Sequence, residues 1–111
     1  LDAFGIDPAG QLCLDVGAST GGFTDVLLGG GATQVIAVDV GRDQLHPSLR
    51  GDTRVLSLEA QDVRTLSPDA LPGRPGFACI DVSFISLKLV LPAVAALLAP
   101  EAALVALIKP Q

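Results

Sequence analysis

Leu12-Cys13-Leu14-Asp15-Val16-Gly17-Ala18-Ser19-Thr20-Gly21-Gly22-Phe23-Thr24-Asp25-Val26-Leu27-Leu28 passes from a short apolar run through a turn of small residues into a helical pattern. It reads as a strand over 11–17, a loop, and a helix over 21–29 whose Phe23, Val26, Leu27 and Leu28 supply a face for a sheet. An apolar strand that ends in Asp15 and turns through Gly17 brings bare backbone N–H groups close to a ligand. Gly21 and Gly22 let the helix begin beside that ligand, where its N-terminus suits a carboxylate or phosphate. A tight turn with no ligand is the other reading of the same glycines.

Downstream of this stretch the pattern repeats. Residues 34–40 form a second strand, apolar without alternation and ending in Asp39, which favours a parallel strand buried on both faces. In a βαβ unit the carboxyl ends of the first two strands are neighbours, so Asp39 falls beside the Gly17 loop. An acid at that place, about 20 residues beyond a glycine loop, commonly holds both ribose hydroxyls. Capping of a following helix over 42–49 is the alternative. A third strand covers 53–58, and Asp62 with Val63 in the loop after it either takes an adenine ring or caps a turn. The Gly29-Gly30-Gly31 triplet reads as a chain reversal, and 67–76, rich in Pro and Gly, as a connector with a brief helical possibility at 69–71.

The fourth strand, 77–82, again carries a carboxylate, Asp81, near its carboxyl end. Leu87, Val90, Leu91, Val94, Leu97 and Leu98 then make a helical stripe in which Pro92 starts or bends the regular part. A fifth strand over 103–108 runs into Lys109-Pro110-Gln111, Pro110 marking its exit. Three strands that deliver acids to one edge imply an open α/β sheet in order 3-2-1-4-5, with its ligand crevice between strands 1 and 4. Leu1 to Phe4 followed by Gly5 reads as the last turn of a helix with a glycine cap.

The glycine spacing narrows the ligand. A dinucleotide fingerprint needs G-x-G-x-x-G, and the middle glycine is here Ser19, which opposes a pyrophosphate. Asp39 fits the ribose of NAD or of S-adenosylmethionine and repels the 2′-phosphate of NADP. On the residues alone, an NAD-binding oxidoreductase domain and a non-catalytic adenosyl-binding module both stay open.

With 111 residues the chain holds one domain, half of it apolar, and a formal net charge of −5. A stand-alone nucleic-acid binder is usually basic, so phosphate-binding surface for RNA is expected outside these residues. No apolar run is long enough to cross a bilayer, and no signal-peptide pattern opens the chain; a cytoplasmic protein is the expectation. Cys13 and Cys79 lie in apolar runs without Cys or His neighbours and read as reduced core thiols, with no metal site implied. His46 and Lys88 read as surface residues. The lack of an initiating Met and the end at Gln111 read as an excised piece of a longer chain.

Leu14 to Asp25, Ala37-Val38-Asp39-Val40-Gly41, Ile80-Asp81-Val82-Ser83-Phe84-Ile85-Ser86-Leu87 and Leu107-Ile108-Lys109-Pro110-Gln111 together resemble the TlyA (haemolysin A) branch of the FtsJ-like RNA methyltransferases. The resemblance covers nearly the whole chain and implies a Rossmann-like methyltransferase core, 1–111, truncated before the last strands of the usual sheet. It implies methyl transfer from S-adenosylmethionine to cytidine 2′-hydroxyls of ribosomal RNA, with ribosomal RNA or ribosomal subunits as partners. The cofactor-binding residues it implies are Asp15, Gly17, Ala18, Ser19, Gly21, Gly22, Phe23, Asp39, Val40, Asp62, Val63 and Asp81. Asp81 and Lys109 match two members of a catalytic Lys-Asp-Lys-Glu tetrad whose other Lys and Glu are expected before Leu1 and beyond Gln111. The haemolysin label hints at a membrane activity, which no cationic amphipathic helix here supports.

Overall fold

The computed structural model describes residues 7–109, so the helix end and glycine cap expected over 1–5 and the Pro110 exit lie outside the described residues. Five strands, β1 (Leu12–Val16), β2 (Gln34–Val38), β3 (Val55–Leu58), β4 (Phe77–Ser83) and β5 (Ala103–Lys109), form one sheet. Its order is β3-β2-β1-β4-β5 with every neighbouring pair parallel, as the placement of the acids required. In register, Asp15 stands opposite Cys79, and Asp81 opposite Leu107, two residues before the pairing of Ser83 with Lys109.

Both faces of the sheet are covered, which is why the strands read as unbroken apolar runs. Cys13, Val35, Phe77 and Cys79 pack on one face against Leu27 and Leu28 of helix α1 (Gly22–Gly29). Leu14, Ile36, Ala78 and Ile80 pack on the other against Val94 and Leu97 of helix α3 (Phe84–Leu97). The two faces alternate residue by residue, as the pleat dictates.

Three expectations need correction. The helix over 42–49 shrinks to α2 (Pro47–Arg50), because Asp43 takes a left-handed φ of 54° and Pro47 sets the first helical position. Val26 does not face the sheet: it is 51% exposed, whereas Thr24, Leu27 and Leu28 turn inward. Inward residues at positions 24, 27 and 28 follow the 3.6-residue period, and Val26 is out of phase with it. Pro92 lies inside α3 and exposed; Leu91, expected on the buried stripe, is exposed as well, while Val94 and Leu97 are buried.

The phase of α1 gives a direct test in the full-length protein by urea unfolding. Leu27→Ala should cost ~2–5 kcal/mol and Val26→Ala less than ~0.5 kcal/mol. Equal losses would mean that the helix is turned differently.

Candidate functional site

Gly17 lines two of the cavities at the carboxyl edge of the sheet, one on each face. On the α3 side, a cavity of about 230 Å³ is walled by valines, among them Val16, Val38, Val63 and Val82, with Asp39, Val40 and Asp62 at its polar parts. On the α1 side, a cavity of about 330 Å³ is bounded by Asp15, Ala18, Ser19, Gly22, Phe23 and Asp81. An elongated ligand laid across Gly17 would have an apolar compartment at one end and carboxylates at the other. Every predicted cofactor residue but one borders one of these spaces.

The exception is Gly21. It is buried with φ +100°, and a Cβ there would run into the side chains of Leu45, at 2.7 Å, and of Leu49. Gly17, with φ +77°, sits so close to the main chain of Asp81 that a Cβ would overlap its carbonyl oxygen. Both glycines are thus required by the fold itself. Gly22 differs, since a Cβ there meets nothing within 4 Å and the position is exposed. It is the glycine of this loop that leaves space open toward a ligand.

Nor are the loop amides bare. The N–H groups of Gly17 and Ala18 donate to the Val38 carbonyl over 2.9 and 3.2 Å, and that of Gly21 donates to the Ala18 carbonyl over 2.8 Å. The Ser19 amide donates to Asp39 Oδ2 over 2.7 Å, and the Gly41 amide to Asp39 Oδ1 over 2.8 Å. Asp39 therefore fixes the loop, including the left-handed φ of 52° at Ser19, besides bordering the apolar cavity. It caps no helix, because none begins after it until residue 47.

Asp15 is fully buried beneath the loop. Thr24 of α1 donates its hydroxyl to Asp15 Oδ2 over 2.7 Å, and the Cys79 thiol stands 3.6 Å from Oδ1. Burial pushes the Asp15 carboxyl up to about 6, with the Asp81 charge adding to the rise and the Thr24 and Cys79 hydrogen bonds opposing it. Burial also raises the Cys13 thiol to about 11 and the Cys79 thiol further still, so both stay protonated, free and unreactive.

Asp62 caps a turn, one of the two readings its sequence position left open. Its carboxylate accepts from the Arg64 amide at the start of a one-turn 3-10 segment, Val63–Thr65, and it borders the apolar cavity beside buried Val63. Lys109 is placed by its register opposite Ser83. His46 is exposed and caps α2 through Nδ1, and Lys88 is exposed on α3. The residues that sequence reasoning missed are the wall valines Val16, Val38 and Val82 with Gln61, Arg64, Ser86, Leu89 and Val90 at the apolar cavity, and Thr20 and Val26 at the acidic one. Only proximity in the chain to predicted site residues signalled any of them. Among the described residues no group of three carboxylate, thiol or imidazole side chains is arranged to hold a metal ion, and no helix is long and apolar enough to cross a membrane.

Asp15 carries a pH signature. A carboxyl raised from 3.8 to about 6 on folding favours the fold while protonated, and that contribution is lost as pH rises from about 4 through 6. Asp15→Asn keeps an acceptor for Thr24 without the charge. Its stability relative to the parent, measured by urea unfolding of the full-length protein, should be near zero at pH 4 and favourable by on the order of 3 kcal/mol at pH 7.5. A difference independent of pH would mean that Asp15 titrates normally.

Comparison with known proteins agrees with this geometry. The family model described as FtsJ-like methyltransferase matches residues 1–111. The chain is 53% identical over 111 residues to the 16S/23S rRNA (cytidine-2′-O)-methyltransferase TlyA of Mycobacterium tuberculosis, covering all of this chain and 41% of that protein. It is 44% identical over 109 residues to Hemolysin A of Brachyspira hyodysenteriae, covering 97% of this chain and 45% of that one. A solved structure from Streptococcus thermophilus, described as a candidate hemolysin, superposes with a TM-score of 0.94 at 50% identity, over 99% of this chain and 40% of that one. The chain spans about two fifths of the length of these curated relatives.

Proposed function

Because the chain belongs to the FtsJ-like methyltransferase family, we propose that its two-compartment edge binds S-adenosylmethionine and serves methyl transfer to a ribose 2′-hydroxyl of ribosomal RNA, cytidine being the nucleoside acted on. The observation that carries this reading is the pairing of an apolar, Asp39-bearing cavity with an acid-lined one across Gly17. Adenosine fits the first compartment, with its ring among Val40, Val63 and Asp62 and its ribose hydroxyls on the Asp39 carboxylate. The methionine arm, with its ammonium and sulfonium, fits the second, bordered by Gly17, Ala18, Ser19, Gly22, Phe23 and the carboxylates Asp15 and Asp81. S-adenosylmethionine supplies a methyl group already activated by positive sulfur.

What remains for the protein is position and the hydroxyl proton. A ribose hydroxyl is a weak nucleophile near neutral pH, and well-oriented sites gain ~7–11 kcal/mol from placement alone. Lys109 stands two residues beyond Asp81's register partner on the adjacent strand, and it takes the proton as the hydroxyl attacks. A lysine near its ordinary pKa of ~10.4 is protonated, so the role needs crowding by another cation, which the tetrad's remaining lysine supplies. Asp81 orients it. The ribosomal RNA is bound chiefly by surface outside this acidic segment, and the work is cytoplasmic.

Calorimetry on the full-length protein tests the cofactor, and single-turnover assays with ribosomal subunits test the chemistry. S-adenosylmethionine should bind and NADH should not. Asp39→Ala should weaken cofactor binding by ~1.5–3 kcal/mol, since it removes charge-assisted hydrogen bonds. Unchanged affinity would remove Asp39 from the site. Lys109→Ala should leave affinity within about threefold yet abolish most transfer, and Lys109→Arg should not rescue it, because a guanidinium stays protonated. Near-normal rates in the arginine variant would make Lys109 an electrostatic clamp instead of a base.

A further inference from the structure

The apolar cavity has valine walls, and methyl groups hold any purine ring equally well. Discrimination between a 6-amino and a 6-oxo purine has to come from the polar groups among its lining, where Asp62 and Arg64 stand together beside Gln61, with Asp39 and Ser86 also bordering the space. Asp62 Oδ1 accepts from the Arg64 main-chain N–H over 3.0 Å and from its Nε over 3.1 Å. Asp62 Oδ2 accepts from the same Nε over 3.1 Å and from Nη2 over 2.6 Å. A guanidinium fork and a backbone amide thus hold one carboxylate from one residue, and two oxygens fixed at once leave its plane a single orientation.

The two residues are only two positions apart on a one-turn 3-10 segment, so no other element is needed to form the pair. It stands ready before a ligand arrives. An ionised carboxylate only accepts hydrogen bonds: it takes an N–H of a 6-amino group and repels a 6-oxo oxygen. The Arg64 guanidinium holds the Asp62 carboxyl down at about 2, which keeps the acceptor charged at any pH the protein meets.

We propose that Arg64 is the positioning residue of the base-reading edge: by forking onto Asp62 it presents a fixed anionic acceptor at the rim of the apolar cavity and makes the site select a 6-amino purine over a 6-oxo purine. This rests on the adenosyl cofactor assigned above, and it adds the residue that sets the choice of base. Were Arg64 a mere surface ion pair, its loss would leave base choice untouched.

The test is calorimetric titration of the full-length protein with S-adenosylhomocysteine and with its 6-oxo counterpart, S-inosylhomocysteine. The parent should prefer the amino compound by at least about tenfold, the effect of one hydrogen bond to a charged group. Arg64→Ala should shrink that preference to under about threefold while the amino compound still binds. Arg64→Lys should fail to restore it, because an ammonium cannot fork. Asp62→Asn should shrink the preference equally, and the double variant should lose nothing more. Full retention of the preference in Arg64→Ala overturns the proposal. So does a preference that grows in that variant, which would mean that the guanidinium itself reads the base. If the parent binds neither compound, the cofactor assignment itself fails, a result distinct from loss of discrimination among variants that bind.

Discussion

The Ser19 amide and the Asp39 carboxylate, 2.7 Å apart, join the loop after β1 to the end of β2. Without that bond Ser19 has little reason to hold a left-handed φ of 52°, a conformation that costs a residue with a Cβ ~1–2 kcal/mol. Ser19 sets the course of the chain into Gly21 and thus the start of α1, whose first turn borders the acidic cavity. The Val38 carbonyl reinforces the junction by accepting from both Gly17 and Ala18. The same carboxylate that holds a ribose in the proposed complex also builds the loop beside which the rest of the cofactor lies.

Asp15 and Asp81 stand on neighbouring strands, and for Asp15 burial is the larger penalty on its charge, with the Asp81 charge adding to it. Thr24 and Cys79 relieve part of it with hydrogen bonds from α1 and β4. The residual cost suits a site whose ligand arrives with positive charge, because a cation in the adjoining cavity favours the ionised form of every acid that faces it.

Strand identity and order were legible because continuous apolar runs and terminal acids are properties of the chain itself. The phase of α1 was less so: Val26 and Leu27 are equally apolar, and only the position of the sheet decides which turns inward. Sequence could show that Gly17, Gly21 and Gly22 form a loop. It could not separate their reasons, because the obstacles are the Asp81 carbonyl and the Leu45 and Leu49 side chains, supplied by distant parts of the chain. Asp62 left two readings open, and the structure shows the turn cap, made with an arginine two residues away. α2 was over-read because hydropathy carries no trace of the left-handed turn at Asp43.

Gly21 lies against Leu45 and Leu49, and the His46 amide donates to the Thr20 carbonyl over 2.9 Å, so the segment after β2 is keyed into the glycine loop. Two loops locked in this way lose little further freedom when a ligand settles on them. Where a flexible phosphate-binding loop surrenders conformational entropy at the moment of capture, this one has already surrendered it during folding. Association is then limited by the encounter, and a loose fit is not corrected by the loop closing around it.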